Sequence, residues 1–254
     1  MTRSICVTSG KGGVGKTTLV ANLAAAITKL NKKVMVIDGN VTTPNIGFHL
    51  DMPLTPTTLH DVMRGHARIR DAVYRHEAGF YVLPAGISFD EMKGVDPATL
   101  SEVVANLNGT MDMIIVDSAA GLGREAQSAM DAVNEIILVT NPDLPSIADA
   151  LKTIKIAQNK GKEITGVVLN RVRNHRYEMS RQEVEQMLSI PIAAEIPEDL
   201  SIPISIALRK PVVHTNPRSS AAEEITRLAH ALIGLQYQKR NPSIISRIFG
   251  LIFD

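Results

Sequence analysis

The sequence predicts an α/β fold in which a doubly wound, mainly parallel sheet carries helices on both faces. Short apolar runs rich in β-branched residues recur along the chain. They do not alternate polar with apolar positions, which is typical of strands that are buried on both faces. Segments of helical length with apolar residues at helical spacing separate these runs. The 254 residues, of which 44% are hydrophobic, suffice for one sizeable core.

The elements follow from these patterns in chain order. Strands are predicted at residues 4–8, 33–38, 80–84, 113–117, 135–140, 165–170 and 192–196. Helices are predicted at residues 17–30, 97–107, 124–133, 146–159, 181–188 and 219–235. Pro242 interrupts helical hydrogen bonding beyond the last of them. We therefore divide the chain into one domain over residues 1–238 and a tail over residues 239–254.

Composition narrows the possible classes of function. Lys and Arg total 27 against 26 Asp and Glu, so no global positive field makes nucleic acid an expected partner. The single Cys6 lies in an apolar run and is predicted to be buried, which excludes disulfides and paired-cysteine metal sites within one chain. The amino terminus lacks a targeting pattern and no run of roughly 18 apolar residues occurs, so we expect a cytoplasmic protein that does not span a membrane. The histidines show no metal-ligand spacing and are expected on the surface or hydrogen-bonded in the core.

A glycine-rich segment from Gly10 to Thr17 lies between the first predicted strand and the first predicted helix. It matches the pattern G-x-x-x-x-G-K-[ST], in which backbone N–H groups and a helix amino terminus surround phosphate oxygens. Lys16 is predicted to neutralise the β- and γ-phosphates, and the Thr17 hydroxyl to bind Mg²⁺, which prefers oxygen ligands. The segment therefore predicts binding of ATP with Mg²⁺.

The string from Lys11 to Thr18 resembles the deviant Walker A loop of the MinD/ParA family of ATPases. The resemblance implies a P-loop NTPase fold and a homodimer that encloses ATP, in which Lys11 crosses the interface to the partner's nucleotide. A cation placed there offsets the repulsion between two phosphate sites. The nucleotide contacts that it implies in this loop are Gly12, Gly13, Val14, Gly15, Lys16, Thr17 and Thr18.

Two further segments resemble the family around the magnesium site. The second predicted strand runs into Asp38 and Asn40, where the family has its first switch region, and the resemblance gives Asp38 a part in catalysis and in holding Mg²⁺. Asp117 ends a later strand in the manner of a Walker B motif and is expected to hold a magnesium-bound water. With Lys11 and Lys16, Asp38 and Asn40 make up the expected catalytic group.

The resemblance also covers the expected adenine pocket. Asn170 and Arg171 stand at the end of a predicted strand, at the family's adenine-recognising position, and an asparagine amide offers both a donor and an acceptor to a base edge. Pro197, Glu198 and Asp199 resemble the loop that covers the adenine. All of these positions lie at the carboxyl ends of predicted strands, where a doubly wound sheet places its ligand crevice.

Asn40 departs from the family pattern, because many relatives have an aspartate at this position. An amide can orient a water molecule but cannot accept its proton at neutral pH. Phosphoryl transfer depends mostly on positioning and charge stabilisation, so the substitution predicts slow hydrolysis. We therefore expect a long-lived ATP-bound state.

The tail predicts an amphipathic helix. Stepped at about 100° per residue, its large apolar side chains fall on one arc. At roughly 1.5 Å per residue the helix is too short to cross a bilayer, but it can lie in the interface. It resembles the membrane-targeting helix of MinD proteins; packing on its own core or on a second subunit are the alternatives. The residues expected to face lipid are Ile244, Ile245, Ile248, Phe249, Ile252 and Phe253.

The sequence-based hypothesis is thus a MinD-like positioning ATPase. It would dimerise on ATP, dock on the inner face of the cell membrane as a peripheral protein, and recruit an unknown protein partner. A ParA-like protein for DNA partitioning is the first alternative, which the near-neutral charge and the apolar tail disfavour. An iron–sulfur carrier of the same superfamily is the second, and Cys6 has no companion cysteine for that role.

Overall fold

All seven apolar runs form strands of one sheet. A computed structural model describes residues 2–52 and 54–238 of the chain, and within them the sheet has eight strands. The strands are β1 (Arg3–Thr8), β2 (Val34–Gly39), β3 (Tyr74–Arg75), β4 (Tyr81–Leu83), β5 (Met113–Ser118), β6 (Glu135–Thr140), β7 (Glu163–Val172) and β8 (Ile192–Pro197).

The strand order is β3-β4-β2-β5-β1-β6-β7-β8. Every pair is parallel except β3 with β4, and β3 is the one strand that the sequence did not predict. Strands β2 and β5 are buried along their whole length, as their continuous apolar runs predict. The chain proceeds from β1 towards one edge and later towards the other, so a crevice opens beyond the carboxyl ends of the central strands.

Helices cover both faces of the sheet, which confirms the predicted fold class. They are α1 (Lys16–Thr28), α2 (Ile46–His49), α3 (Leu59–Met63), α4 (Phe89–Met92), α5 (Leu100–Asn106), α6 (Arg124–Asp131), α7 (Leu144–Asn159), α8 (Arg181–Leu188), α9 (Ser201–Ala207), α10 (Val212–Thr215) and α11 (Ser220–Leu232). Short 3-10 turns occupy Ile69–Asp71 and Pro97–Thr99. All six helices predicted from the sequence are present.

Helix α1 lies inside the fold and fixes the segment that precedes it. Every residue from Leu19 to Ile27 is buried, between the sheet on one side and α11 on the other. Small residues such as Ala24 and Ala25 let the neighbouring backbones approach closely. Burying Leu23 completely stabilises the fold by about 1.5 to 3 kcal/mol. The start of α1, where the phosphate loop ends, is therefore anchored by the core.

The tail over residues 239–254, with its predicted lipid-facing side chains, lies outside the described residues, and the boundary at residue 238 stays a prediction. In the described part of the chain, no helix combines the length and apolar character that crossing a membrane requires. Cys6 is fully buried in β1, as predicted, and this burial raises the pKa of its thiol.

Candidate nucleotide-binding site

The segment from Gly10 to Thr17 joins β1 to α1 at the central crevice. Gly13 and Gly15 have φ angles of 76° and 98°, in the left-handed region that favours glycine. No side chain caps the amino terminus of α1, so its first N–H groups face the loop without a side-chain acceptor. This arrangement suits a phosphate group.

The loop is fixed at both of its ends by neighbouring elements. A Cβ atom at Gly10 would lie 2.4 Å from the carbonyl oxygen of Asp149 on α7, so only glycine fits there. Near the other end, the Asn170 amide nitrogen donates a hydrogen bond of 2.6 Å to the Val14 carbonyl oxygen. The same nitrogen lies 2.3 Å from the place where a Cβ at Gly15 would be. Contacts within the protein therefore hold the loop at both of its ends.

Lys16 is a buried cation without an ion-pair partner among the described residues. Its side chain is buried and its Nζ donates to the Ser9 hydroxyl over 2.9 Å. Burial lowers the pKa of Lys16, although the nearby Asp117 carboxylate opposes this shift. A buried charge is costly unless an opposite charge compensates it. A phosphate in the loop would supply that charge.

Asp38 and Asp117 lie side by side because β2 and β5 pair in register at these two residues. Both are buried, and burial raises the pKa of Asp117 to about 6, against the opposing hydrogen bond from Thr17 and the charge of Lys16. Burial and the neighbouring Asp117 raise the pKa of Asp38 well above its usual range. The charge of Lys16 therefore does not fully offset the burial of these two adjacent carboxylates.

The same carboxylates suit a magnesium ion. Asp117 Oδ2 accepts a hydrogen bond of 2.7 Å from the Thr17 hydroxyl, while its Oδ1 is buried and without a partner. Hard oxygen ligands of this kind are what Mg²⁺ prefers. Across the described residues, no three His, Cys, Asp or Glu side chains gather as a complete metal site. Thr17 and Asp117 would hold Mg²⁺ together with phosphate and water oxygens.

The Asp38 carboxylate is bound by the segment that follows β2. Its Oδ2 accepts from the backbone N–H groups of Asn45 and Ile46 at 3.0 and 3.1 Å, and its Oδ1 accepts from that of Asn40 at 3.3 Å. Asp38 therefore holds the start of α2 next to the magnesium site. Its predicted direct role with the metal stays a prediction.

Asn40 closes a turn with Thr43. Its amide nitrogen donates to the Thr43 carbonyl oxygen over 2.5 Å, and its amide oxygen accepts from the Thr43 hydroxyl over 3.0 Å. The side chain is thus engaged with its own segment in this conformation. Its second amide hydrogen has no partner among the described residues and is the group left to orient a water.

A cavity of about 240 Å³ opens beside the phosphate loop, at the position expected for adenine. Asn170, Arg171 and Pro197 line it, as predicted. After its bond to Val14, Asn170 keeps its carbonyl oxygen and one amide hydrogen unbonded to the described protein. The sequence reasoning missed the apolar wall, although helical spacing after Pro197 could have indicated it. That wall consists of Leu19, Ile196, Ile202, Pro203, Ile206 and Ile225.

Glu198 and Asp199 line the cavity, but their carboxylates bind protein groups. Glu198 forms a two-point ion pair with Arg173, one of whose bonds, from Nη2 to Oε1, measures 2.9 Å. Asp199 accepts from the backbone N–H groups of Ser201 and Ala221 at 2.8 and 3.1 Å, and from the Ser201 and Ser220 hydroxyls. Partial burial raises the pKa of Asp199, but these bonds outweigh it and lower the pKa to about 2.

Lys11 differs in its surroundings from Lys16, the other charged residue of the loop. Its side chain is exposed, and it forms no hydrogen bond or ion pair with the part of the chain that the structure describes. Only its carbonyl oxygen is bound, by the Ser9 hydroxyl over 2.7 Å. Its ammonium group is therefore free to meet a ligand or a second molecule.

Comparison with known proteins agrees with this geometry. Residues 5–212 match the model of the CobQ/CobB/MinD/ParA nucleotide binding domain. An uncharacterized ATP-binding protein of Methanocaldococcus jannaschii is 37% identical over 257 residues, covering 100% of this chain and 97% of that protein. The septum site-determining protein MinD of Thermotoga maritima is 33% identical, covering 91% and 88%. The structure of the MinD protein of Pyrococcus horikoshii with Mg-ADP superposes with a TM-score of 0.88 at 36% identity, covering 91% and 96%.

Proposed function

The chain belongs to the CobQ/CobB/MinD/ParA family of nucleotide-binding domains, and on this basis we propose that it is a MinD-like ATPase that dimerises when ATP and Mg²⁺ bind. Slow hydrolysis then returns it to the monomer. The observation that carries this proposal is the contrast between the two lysines of the phosphate loop. Lys16 is buried beside the phosphate position, whereas Lys11 is exposed at the mouth of the loop.

Binding of the nucleotide with Mg²⁺ would compensate buried charges that the protein itself does not fully compensate. Lys16 and the N–H groups at the start of α1 would bind the phosphates, and Thr17 and Asp117 would hold the metal. When bound, Mg²⁺ would neutralise the negative charge of the phosphates during phosphoryl transfer. Asp38 keeps the adjacent switch segment against this site through its backbone bonds.

In the dimer, Lys11 would reduce the repulsion between the two bound nucleotides. Two ATP-loaded molecules that approach through their phosphate loops repel each other, since each carries several negative charges. A lysine that reaches across the interface forms charge-assisted hydrogen bonds with the partner's phosphates and offsets this repulsion. ADP lacks the γ-phosphate and would hold the dimer less strongly. The dimer is therefore expected with ATP and not with ADP.

Analytical ultracentrifugation with three proteins tests the dimer. We expect the wild type to sediment as a dimer in Mg-ATP and as a monomer in Mg-ADP, and Lys11→Ala to stay monomeric in both. Lys32→Ala is the matched control. Lys32 is exposed in the turn before β2, at the amino-terminal end of that strand, whereas the phosphate loop lies at the carboxyl ends of the strands. This variant should therefore behave as the wild type. The ATP affinity of monomeric Lys11→Ala should change by no more than about threefold. Dimerisation of Lys11→Ala with ATP would contradict the proposal.

Membrane docking is the output that we propose for this switch. One amphipathic tail binds weakly, because an interfacial helix buries its apolar side chains only in part and must first become ordered. A dimer has two tails, and the second insertion becomes intramolecular, which raises the overall affinity by roughly 100-fold or more. The protein would thus reside on the inner face of the cell membrane while ATP is bound, and recruit its partner protein there.

Co-sedimentation with anionic and neutral vesicles tests this output. We expect the wild type to sediment with anionic vesicles in ATP, to remain largely soluble in ADP, and to lose binding when residues 242–254 are deleted. Lys11→Ala should bind as weakly in ATP as the wild type does in ADP. Equal binding with both nucleotides, or full binding after the deletion, would refute membrane docking and leave the ATP dimer to be judged by ultracentrifugation.

A further inference from the structure

His60 is a fully buried imidazole that joins two distant segments of backbone. It lies on α3, and its two ring nitrogens both have backbone partners. Nδ1 is 2.8 Å from the Gly86 nitrogen, in the segment after β4. Nε2 is 2.9 Å from the Val41 carbonyl oxygen, in the switch segment after β2. Neither contact was foreseen from the sequence, which indicated only a core or surface histidine.

These partners determine where the ring proton resides. A backbone N–H can only donate, so Nδ1 must accept from Gly86 and carries no hydrogen. A carbonyl oxygen can only accept, so Nε2 carries the hydrogen and donates it to Val41. The imidazole is therefore neutral with both nitrogens in use. Burial agrees with this form, since it lowers the pKa of His60.

Helix α3 is itself firmly held, so His60 is a fixed point for the switch segment. Thr58 and Asp61 form a capping box at its start. The Leu59 N–H donates to the Pro84 carbonyl oxygen over 2.7 Å, which attaches α3 to the end of β4. The imidazole thus fixes the Val41 backbone relative to the end of β4.

Val41 directly follows Asn40 and lies three positions after Asp38. Its side chain is buried, with 5% exposure, whereas Thr42 is exposed and makes only a surface contact with Glu125. Asp38 on β2 holds the far end of this segment at Asn45, and Asn40 binds Thr43 within it. The buried bond from His60 is a second attachment, which joins the segment to α3 at Val41.

We propose that His60 is a positioning residue for ATP hydrolysis, and that its Nε2–H bond to Val41 holds the switch segment 40–46 in register with the phosphate site. This inference rests on the proposed ATPase function. His60 would not touch the nucleotide. Loss of the bond should displace Asn40 and so lower kcat, while ATP binding, which depends on the phosphate loop, is retained.

Two substitutions separate the two ring nitrogens. His60→Gln retains a donor near the Nε2 position for Val41 but loses the acceptor for Gly86. His60→Asn retains an acceptor near the Nδ1 position for Gly86 but loses the donor for Val41. Each variant loses one buried hydrogen bond, so a purely structural role predicts similar losses of stability and activity for both.

We expect His60→Asn to lower kcat roughly tenfold with the KM for ATP within about twofold, and His60→Gln to keep kcat within about threefold of the wild type. Thermal unfolding of both variants measures the loss of stability that each suffers from its missing hydrogen bond. Equal losses of kcat in the two variants, or no loss in either, would overturn the positioning role.

Hydrogen exchange of the nucleotide-free protein gives a readout that needs no catalysis. Amides of residues 40–46 should exchange faster in His60→Asn than in the wild type, and near the wild-type rate in His60→Gln. Equally fast exchange in both variants would overturn the inference. If the wild type hydrolyses no ATP, the proposed function fails, and the exchange rates still decide whether His60 holds the switch segment.

Discussion

The two ends of the nucleotide site satisfy their polar groups in opposite ways. At the phosphate end, Lys16 and Asp117 are buried without enough protein partners, and Asp117 Oδ1 has none among the described residues. At the adenine end, Glu198 is paired with Arg173, and Asp199 accepts four hydrogen bonds. One end thus lacks compensating charges, whereas the two carboxylates at the other end are bound within the protein.

This difference assigns separate tasks to the two ends. A ligand that compensates a buried charge gains a large binding free energy. The cost of removing that charge from water was already incurred when the protein folded. The adenine end has few charges left to offer, so it contributes shape and the apolar wall around Ile202 and Ile206. Affinity should therefore reside mainly at the phosphate end, and substitutions there should have the larger effects on nucleotide handling.

Lys16→Ala should show the largest effect. Removing the buried cation leaves the phosphate without its principal charge-assisted bond, and we expect ATP affinity to fall by about 100-fold. Glu198→Gln is the matched change at the adenine end and should alter affinity by no more than about threefold. Isothermal titration calorimetry measures both. Comparable losses for the two variants would remove the distinction between the ends.

Asn40→Asp should have the next largest effect, on turnover. A carboxylate next to the phosphate site can accept a proton from water, which the amide cannot, and we expect hydrolysis to accelerate at least tenfold, on the order of a general-base contribution. Asn45→Asp is the control, since it makes the same chemical change in the same segment. Phosphate release measures both rates. Rapid turnover by the wild type together with an unchanged rate in Asn40→Asp would refute the hypothesis of a slow, amide-limited ATPase.

Proton competition at Asp117 should weaken binding of Mg-ATP at low pH. Its pKa of about 6 means that the carboxyl is protonated below that pH, so we expect affinity to fall by about tenfold per pH unit there. Nucleotide binding without Mg²⁺ is the control and should not show this loss. Titrations at several pH values measure it, and a flat profile with Mg²⁺ would contradict the assignment.

The same group affects the stability of the nucleotide-free protein with the opposite sign. The folded-state pKa of Asp117 lies above its usual value of 3.8, so its contribution to stability is fully present below about pH 4 and is lost as the pH rises through about 6. Asp38, whose pKa is also raised, acts in the same direction. Mg-ATP should therefore increase the melting temperature more at pH 7.5 than at pH 5, as thermal unfolding can show.

Asp199→Ala should have the smallest effect on nucleotide affinity, within about threefold, and act on stability instead. Its carboxylate binds the starts of α9 and α11, and loss of such capping bonds typically costs about 1 to 2 kcal/mol of unfolding free energy. Asp51→Ala, which removes an exposed ion pair with Arg209, is the control and should cost less than about 1 kcal/mol. Urea denaturation compares them, and a larger loss of affinity than for Glu198→Gln would assign Asp199 to the ligand.

The sheet was predictable because its strands are long, apolar and buried. Strand β6 begins and ends at the predicted residues, as does α8, which has a capping box at Ser180 and Glu183. Strand β3 has only Tyr74 and Arg75, which is too short for any periodicity to appear. Helix α9 contains Pro203 and follows an acidic turn, a composition that also fits a loop.

The site was predictable in its positions but less in its contacts. The loop pattern and the strand ends located Lys16, Asp38 and Asp117, which the structure brings together. The bonds of Asn40 to Thr43 and of His60 to Val41 depend on how loops fold back, and no spacing rule encodes that. Sequence reasoning therefore identified which residues form the site and not which of them are already engaged.

The central position of β1 has a consequence for synthesis of the chain. Residues 3–8 are translated before their partners in β5 and β6, which follow more than 100 positions later, and the Asn170 amide that binds Val14 is 156 positions away. Contacts of such long range form late. A nascent chain can therefore bind ATP only after most of it has been translated, and nucleotide binding should report completed folding.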